Sequence, residues 1–184
     1  CYLTESMVKE IISTNILPEG SLQLICGSAN GILDYVTCQD VVTFTGSAST
    51  GRMLKSHPKI INEAVPFNME ADSLNACILG EDVVPGSIEF DLFVKEVQKE
   101  MTVKAGQKCT AIRRIIVPEK ILEDVQLALT KRLSKIIIGD PKVKDVRMGA
   151  LAGHPQVIEV SEKVKKLSES QKIVYGDLDN FEVK

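Results

Sequence analysis

Val41-Val42-Thr43-Phe44-Thr45 carries no charge and is β-branched at four of its five positions. Such a run reads as a strand, apolar enough to lie inside a parallel sheet. Gly46-Ser47-Ala48-Ser49-Thr50-Gly51 follows, and then a helical Arg52-Met53-Leu54-Lys55. Strand, small-residue turn and helix in that order are the alternation of an α/β protein.

The flanking segments fit that frame. Leu3, Met7, Val8, Ile11 and Ile12 recur at helical spacing over residues 3–14. Leu17-Pro18-Glu19-Gly20 is a turn, residues 21–26 read as a strand stopped by Gly27, and residues 32–36 read as a short helix. Pro58 ends the helix that Arg52 continues, and an extended segment leads to Asn68-Met69-Glu70-Ala71-Asp72-Ser73. Residues 74–79 are a strand candidate, followed by the acidic loop Gly80-Glu81-Asp82. Residues 87–103 form an amphipathic helix with Ile88, Phe90, Leu92, Phe93, Val97 and Met101 on its apolar side. Residues 111–117 read as a long strand and residues 119–135 as a helix. Beyond it come a turn at 136–141, a loop at 148–153, a helix at 155–168 and a short edge strand at 172–175. The polar residues 176–184 are expected to be poorly ordered. A division falls near Glu70–Asp72, where the β-α alternation gives way to longer helices. His57 and His154 sit beside prolines and are expected to be solvated.

Composition excludes several classes. A net charge of −3 leaves no basic stripe for nucleic acid and no polybasic membrane anchor. No window approaches the ~20 apolar residues of a membrane span. The five cysteines are widely spaced, with no Cys-x-x-Cys and only two histidines. Neither a zinc site nor a disulfide framework is indicated, and a reducing cytoplasm is the expected location. A start at Cys1 within a helical pattern suggests a piece of a longer protein.

Three positions carry candidate chemistry. Gly46-Ser47 at a strand end opens a helix and aims backbone N–H groups and a hydroxyl at one point, which suits a phosphate. The plainer reading is a serine N-cap. Gly51 would let the helix pack closely on a neighbour or a ligand. Glu70, after an apolar strand, is either a solvated acid or a general base with a pKa raised by partial burial. Cys109 follows Lys104-Ala105-Gly106-Gln107-Lys108 and leads into the strand at 111–117. Two nearby lysines or a helix N-terminus would favour the nucleophilic thiolate. On local sequence alone, an inert buried cysteine is the better reading.

Taken in order, Phe44-Thr45-Gly46-Ser47-x-x-x-Gly51, Glu70, and Gly106-Gln107-Lys108-Cys109 before a strand with Arg113 resemble the aldehyde dehydrogenase superfamily. Pro18-Glu19-Gly20, Gly139-Asp140-Pro141 and Gly149-Ala150-Leu151 look similar too. The resemblance implies an α/β chain. Residues 1–70 would be the C-terminal part of a Rossmann-like NAD(P)-binding domain, and residues 71–184 the N-terminal part of the cysteine-bearing catalytic domain. It implies Cys109 as the nucleophile forming a thiohemiacetal and then a thioester, its own N–H holding the oxyanion. Glu70 would activate the hydrolytic water. Thr45, Gly46, Ser47, Gly51 and Ala71 would be cofactor-binding positions for NADP or NAD, with Ser47 on the pyrophosphate.

The family usually follows this glutamate with Leu-Gly-Gly-Lys, whereas Ala71-Asp72-Ser73-Leu74 stands here. With Asn75 and Gly-Gln-Lys-Cys-Thr-Ala-Ile-Arg-Arg, this resembles one branch: the dehydrogenase half of the bifunctional ring-opening enzymes of bacterial phenylacetate degradation. That branch implies a semialdehyde substrate carried on coenzyme A, and a homo-oligomeric parent enzyme. The family's oxyanion asparagine, ribose-binding strand and oligomerisation strand fall outside these 184 residues. The polypeptide alone is therefore expected to be inactive. Two other readings are a CoA-acylating relative, in which Glu70 would be idle, and a non-catalytic nucleotide-binding domain on the same fold.

Overall fold

The computed structural model describes residues 2–28 and 31–184. The chain divides into two compact units, Cys1–Asp72 and Ser73–Lys184.

In the first unit, α1 (Tyr2–Ser13) is followed by turns and irregular residues through 28, and a 3-10 turn lies at Ile32–Tyr35. Strand β1 (Val42–Gly46) pairs in parallel with β2 (Phe67–Ala71), in the register Val42↔Phe67 to Gly46↔Ala71. Helices α2 (Ala48–Lys55) and α3 (Pro58–Asn62) form the crossover between them. Proline at the first position of α3 separates the two helices, since it cannot donate to the preceding turn. The strand–turn–helix order read from Val41–Lys55 is therefore present, and β2 completes a β-α-β unit with Ile60 and Val65 buried.

In the second unit, the short parallel strands β3 (Ala76–Ile78) and β4 (Arg114–Ile116) pair as Ala76↔Arg114 to Ile78↔Ile116. Between them runs α4 (Ile88–Thr102), and after them come α5 (Leu122–Leu133) and α6 (His154–Ser168). Ser87 caps α4, its hydroxyl accepting from the Phe90 N–H. The core gathers Leu79, Phe90, Val94, Ile121 and Val125, flanked by Val83, Phe93, Val117, Ala128 and Leu129. Burying each such side chain contributes about 1.5–3 kcal/mol.

Several expectations are corrected. Residues 21–26 form no strand: they are irregular and largely exposed, and among the described residues no strand pairs with them. Residues 172–175 form no strand either. The strand expected over 111–117 is confined to Arg114–Ile116, and the Ala111 carbonyl is taken by a side chain (below). The helix expected over 119–135 opens as a 3-10 turn, Glu119–Ile121, before α5 begins. In α4, Ile88 and Leu92 are exposed, and the inward face is Phe90, Val94 and Val97. His57 is half-buried rather than solvated: it caps α3 through Nδ1, which accepts from the Lys59 N–H at 3.3 Å, and its Nε2 lies 3.4 Å from Asp34. His154 is the first residue of α6. Lys184 is held, its N–H donating to Ile138 O (2.8 Å) and its carbonyl accepting from the Asp140 N–H (3.0 Å).

Much apolar surface remains open. Leu3, Met7 and Ile12 of α1 and Val157, Ile158 and Leu167 of α6 are exposed. The accessible surface is 14125 Å² for 20.2 kDa, against about 8,800 Å² for a compact monomer of that mass.

Candidate active site

In the first unit, the turn from β1 into α2 is built by short hydrogen-bonding side chains. Ser47 is the N-cap: its Oγ accepts from the Thr50 N–H at 3.2 Å, and it donates to Thr50 Oγ1 at 2.9 Å. Ser49 Oγ lies 3.1 Å away. The cap reading of Ser47 is thus realised. Gly51 is buried against β1 and β2, where an added Cβ would overlap the Met69 side chain and crowd the Phe44 ring. Its close approach is to neighbouring side chains.

Pairing across β1 and β2 sets Thr45 beside Glu70 and Gly46 beside Ala71. Glu70 lies within β2 rather than after it, and it is exposed. Asp72 turns the chain with φ 56°, the left-handed conformation that a glycine would adopt without strain and that Asp tolerates better than most residues. It is clamped to the end of β1 and the start of α2: its N–H donates to Gly46 O (3.1 Å), and its Oδ1 accepts from the Ala48 N–H (3.0 Å). The aspartate therefore makes the bend and adds an acidic cap to the helix. Among the described residues, the Ser49 N–H has no acceptor. Together with the hydroxyls of Ser47, Ser49 and Thr50 at a helix N-terminus, it forms a donor set that suits a phosphate.

In the second unit, Cys109 is exposed on a tight turn closed by the Ala111 N–H donating to Lys108 O at 3.2 Å. The approach to it is unusual. Lys104, Ala105 and Gly106 all have positive φ, at 54°, 53° and 71°. Two successive non-glycine residues in that region cost about 1–2 kcal/mol each, so the surroundings have to hold them. Arg113 does part of this, Nη1 donating to Gly106 O (3.0 Å) and Nη2 to Lys108 O (2.9 Å). Gln107 donates to Lys104 O at 2.9 Å and accepts from the Ala152 N–H at 2.8 Å.

The Cys109 carbonyl accepts from Ser73 Oγ (2.6 Å) and from Asn75 Nδ2 (2.7 Å). The same amide reaches Ala111 O (3.1 Å) and Ser73 Oγ (2.8 Å). Among the described residues, the Cys109 N–H donates to no acceptor. Of the two lysines expected to favour the thiolate, Lys108 is paired with Glu100 on α4 at 2.8 Å. Cys109 sits on a turn and not at a helix N-terminus.

Ser73, Asn75 and Asp72 had no local signal of function. Ser73 and Asn75 act on residues 34–36 positions ahead. Arg113 stood in the motif without a role.

Residues 2–182 match the family model "Aldehyde dehydrogenase family". The chain is 42% identical over 181 residues to the 3,4-dehydroadipyl-CoA semialdehyde dehydrogenase of Aromatoleum evansii, covering 98% of this chain and 35% of that protein. It is 25% identical over 166 residues to the 3-succinoylsemialdehyde-pyridine dehydrogenase of a Pseudomonas species, covering 88% of this chain and 33% of that protein. Among solved structures, a double mutant of betaine aldehyde dehydrogenase from Staphylococcus aureus, in complex with NAD+ and with a BME-modified cysteine, superposes with a TM-score of 0.82 at 26% identity. The match covers 95% of this chain and 34% of that one. The chain thus spans about a third of the length of the curated relatives it matches.

Proposed function

The chain belongs to the aldehyde dehydrogenase family, and from that membership we propose that it supplies the nucleophile and the water-activating carboxylate of an enzyme oxidising a CoA-linked semialdehyde to the acid with NAD(P)+. The observation that carries this reading is the Cys109 turn: an exposed thiol, a carbonyl fastened by two donors and an N–H that has no acceptor among the described residues. An inert core cysteine needs none of these. The substrate class rests on the 42% identity to an enzyme named for a CoA semialdehyde.

Each step follows from the residues present. The Cys109 thiolate attacks the aldehyde carbon, a C–S bond forms, and the carbonyl π pair moves onto oxygen. The unengaged Cys109 N–H donates to that oxyanion. A nicotinamide, when bound, supplies the two-electron acceptor that converts this adduct to a thioester. Glu70 then takes a proton from water as the water adds to the thioester carbon, and the sulfur leaves as thiolate. Ser47, Ser49 and Thr50 at the start of α2 are the groups suited to the cofactor's phosphates, with Thr45, Gly46, Gly51 and Ala71 shaping the floor beneath them.

The test uses the full-length parent enzyme with Cys109→Ala and Glu70→Gln. Cys109→Ala should abolish aldehyde-dependent NAD(P)H formation. Glu70→Gln should give a single burst of NAD(P)H and a protein trapped as the thioester, visible as an added acyl mass. Full turnover by Cys109→Ala would refute the reading. Normal turnover by Glu70→Gln that requires added coenzyme A would move the enzyme to the acylating class. The 184-residue polypeptide alone should form no NAD(P)H.

A further inference from the structure

We propose that Ser73 and Asn75 are positioning residues for the nucleophile, fixing the Cys109–Thr110 peptide plane from the segment that follows Glu70. The inference rests on the reading of Cys109 as nucleophile and adds to it the groups that aim it.

Asn75 is the hub. Its side-chain nitrogen lies within hydrogen-bond distance of Cys109 O, Ala111 O and Ser73 Oγ. Two of these are carbonyl oxygens, which only donate-side chemistry can satisfy, so the amide presents its NH2 to them. Its backbone carbonyl accepts from the N–H groups of both Arg113 (2.9 Å) and Arg114 (3.0 Å). One residue therefore ties the cysteine turn and the start of β4 to the same point. Ser73 adds the shortest bond, 2.6 Å to Cys109 O. With the carbonyl held by two donors and the preceding residues held by Arg113, the Cys109 peptide has little freedom to rotate. The direction of its Cα–Cβ bond and of its N–H is then set before substrate arrives, which is the condition for preorganised attack and oxyanion binding.

The experiment uses the full-length parent enzyme with hexanal as the probe aldehyde and iodoacetamide as the probe electrophile. The variants are Asn75→Asp, Asn75→Ala, Ser73→Ala and Ser73→Thr, with Cys109→Ala as the control. Asn75→Asp keeps the volume and replaces the donor by an acceptor facing two carbonyls. It should lower kcat about 10- to 100-fold, the scale of a misplaced reacting group, with the KM for NAD(P)+ within twofold. Ser73→Ala, which leaves the Asn75 bonds to Cys109 and Ala111, should show a smaller loss of the same kind. Ser73→Thr, which keeps the hydroxyl, should restore activity. Labelling of Cys109 relative to the exposed Cys38 should fall in step with kcat.

Unchanged kcat in Asn75→Asp and Ser73→Ala would overturn the proposal. So would a loss of kcat that Ser73→Thr fails to recover, or one that only tracks a lowered melting temperature. If Cys109→Ala remains active, the underlying reading of the nucleophile fails instead, whatever the Asn75 and Ser73 variants do.

Discussion

At Gly51, one methyl group decides how closely α2 can lie on its sheet. Gly51→Ala gains about 1 kcal/mol of helix propensity, while its Cβ meets Sδ and Cγ of Met69 and crowds the Phe44 ring, so the Met69 side chain has to shift. The two effects nearly cancel, and urea unfolding should find Gly51→Ala within about 1 kcal/mol of the parent. Gly51→Val adds branches that Phe44 also blocks, and should cost about 1–3 kcal/mol. Cys77 gives a pH-dependent case. Its side chain is half-buried on β3, and burial pushes its thiol up from the ordinary 9.0. A folded value above the unfolded one means that this contribution is full below about pH 9 and is lost as pH rises through the folded value. Unfolding titrations carried upward from about pH 9 should therefore show stability falling, and Cys77 should alkylate after the exposed Cys26 and Cys38. Residues acting through short-range bonds were legible: the Ser47 cap and the close packing of Gly51 follow from local pattern. The bonds of Asn75 were not, because nothing within a few positions of an amide tells which carbonyl 34 residues on will meet it.

Among the elements, α4 shows how periodicity informs and where it stops. Helical spacing gave the helix itself, and the Ser87 cap and the apolar run fix its start. Spacing alone could not choose between the Ile88/Leu92 stripe and the Phe90/Val94/Val97 stripe, since both recur at helical intervals. That choice is made by Leu79, Ile121 and Val125, which pack on Phe90 and Val94 of the second stripe. Phe90→Ala should then destabilise the protein by about 3–5 kcal/mol. Leu92→Ala, at a position 55% exposed, should change stability by no more than about 0.5 kcal/mol. Thermal or urea unfolding of both variants checks the assignment, and equal losses would contradict it. Residues 21–26 make the complementary point. Their composition suits a strand, but a strand is a property of a pair, and composition does not supply the partner.

For the molecule as a whole, the α/β class and the order of candidate site residues could be read from three short motifs. The extent of burial could not, because an apolar stripe is written identically whether or not something covers it. Here α1 and α6 keep their stripes open. Folding this chain removes about half of the surface its extended form exposes, where a domain of this length ordinarily removes about 70%. That shortfall has a thermal consequence. The heat capacity increment of unfolding follows the surface newly hydrated, and for 184 residues it would ordinarily be about 2.5 kcal/mol/K. Scaled to the area this chain actually buries, calorimetry should return about three-quarters of that value. A smaller increment flattens the dependence of stability on temperature, so the polypeptide should pass from folded to unfolded over a broad range, with cold and heat acting on it more weakly than on a well-covered domain of equal length.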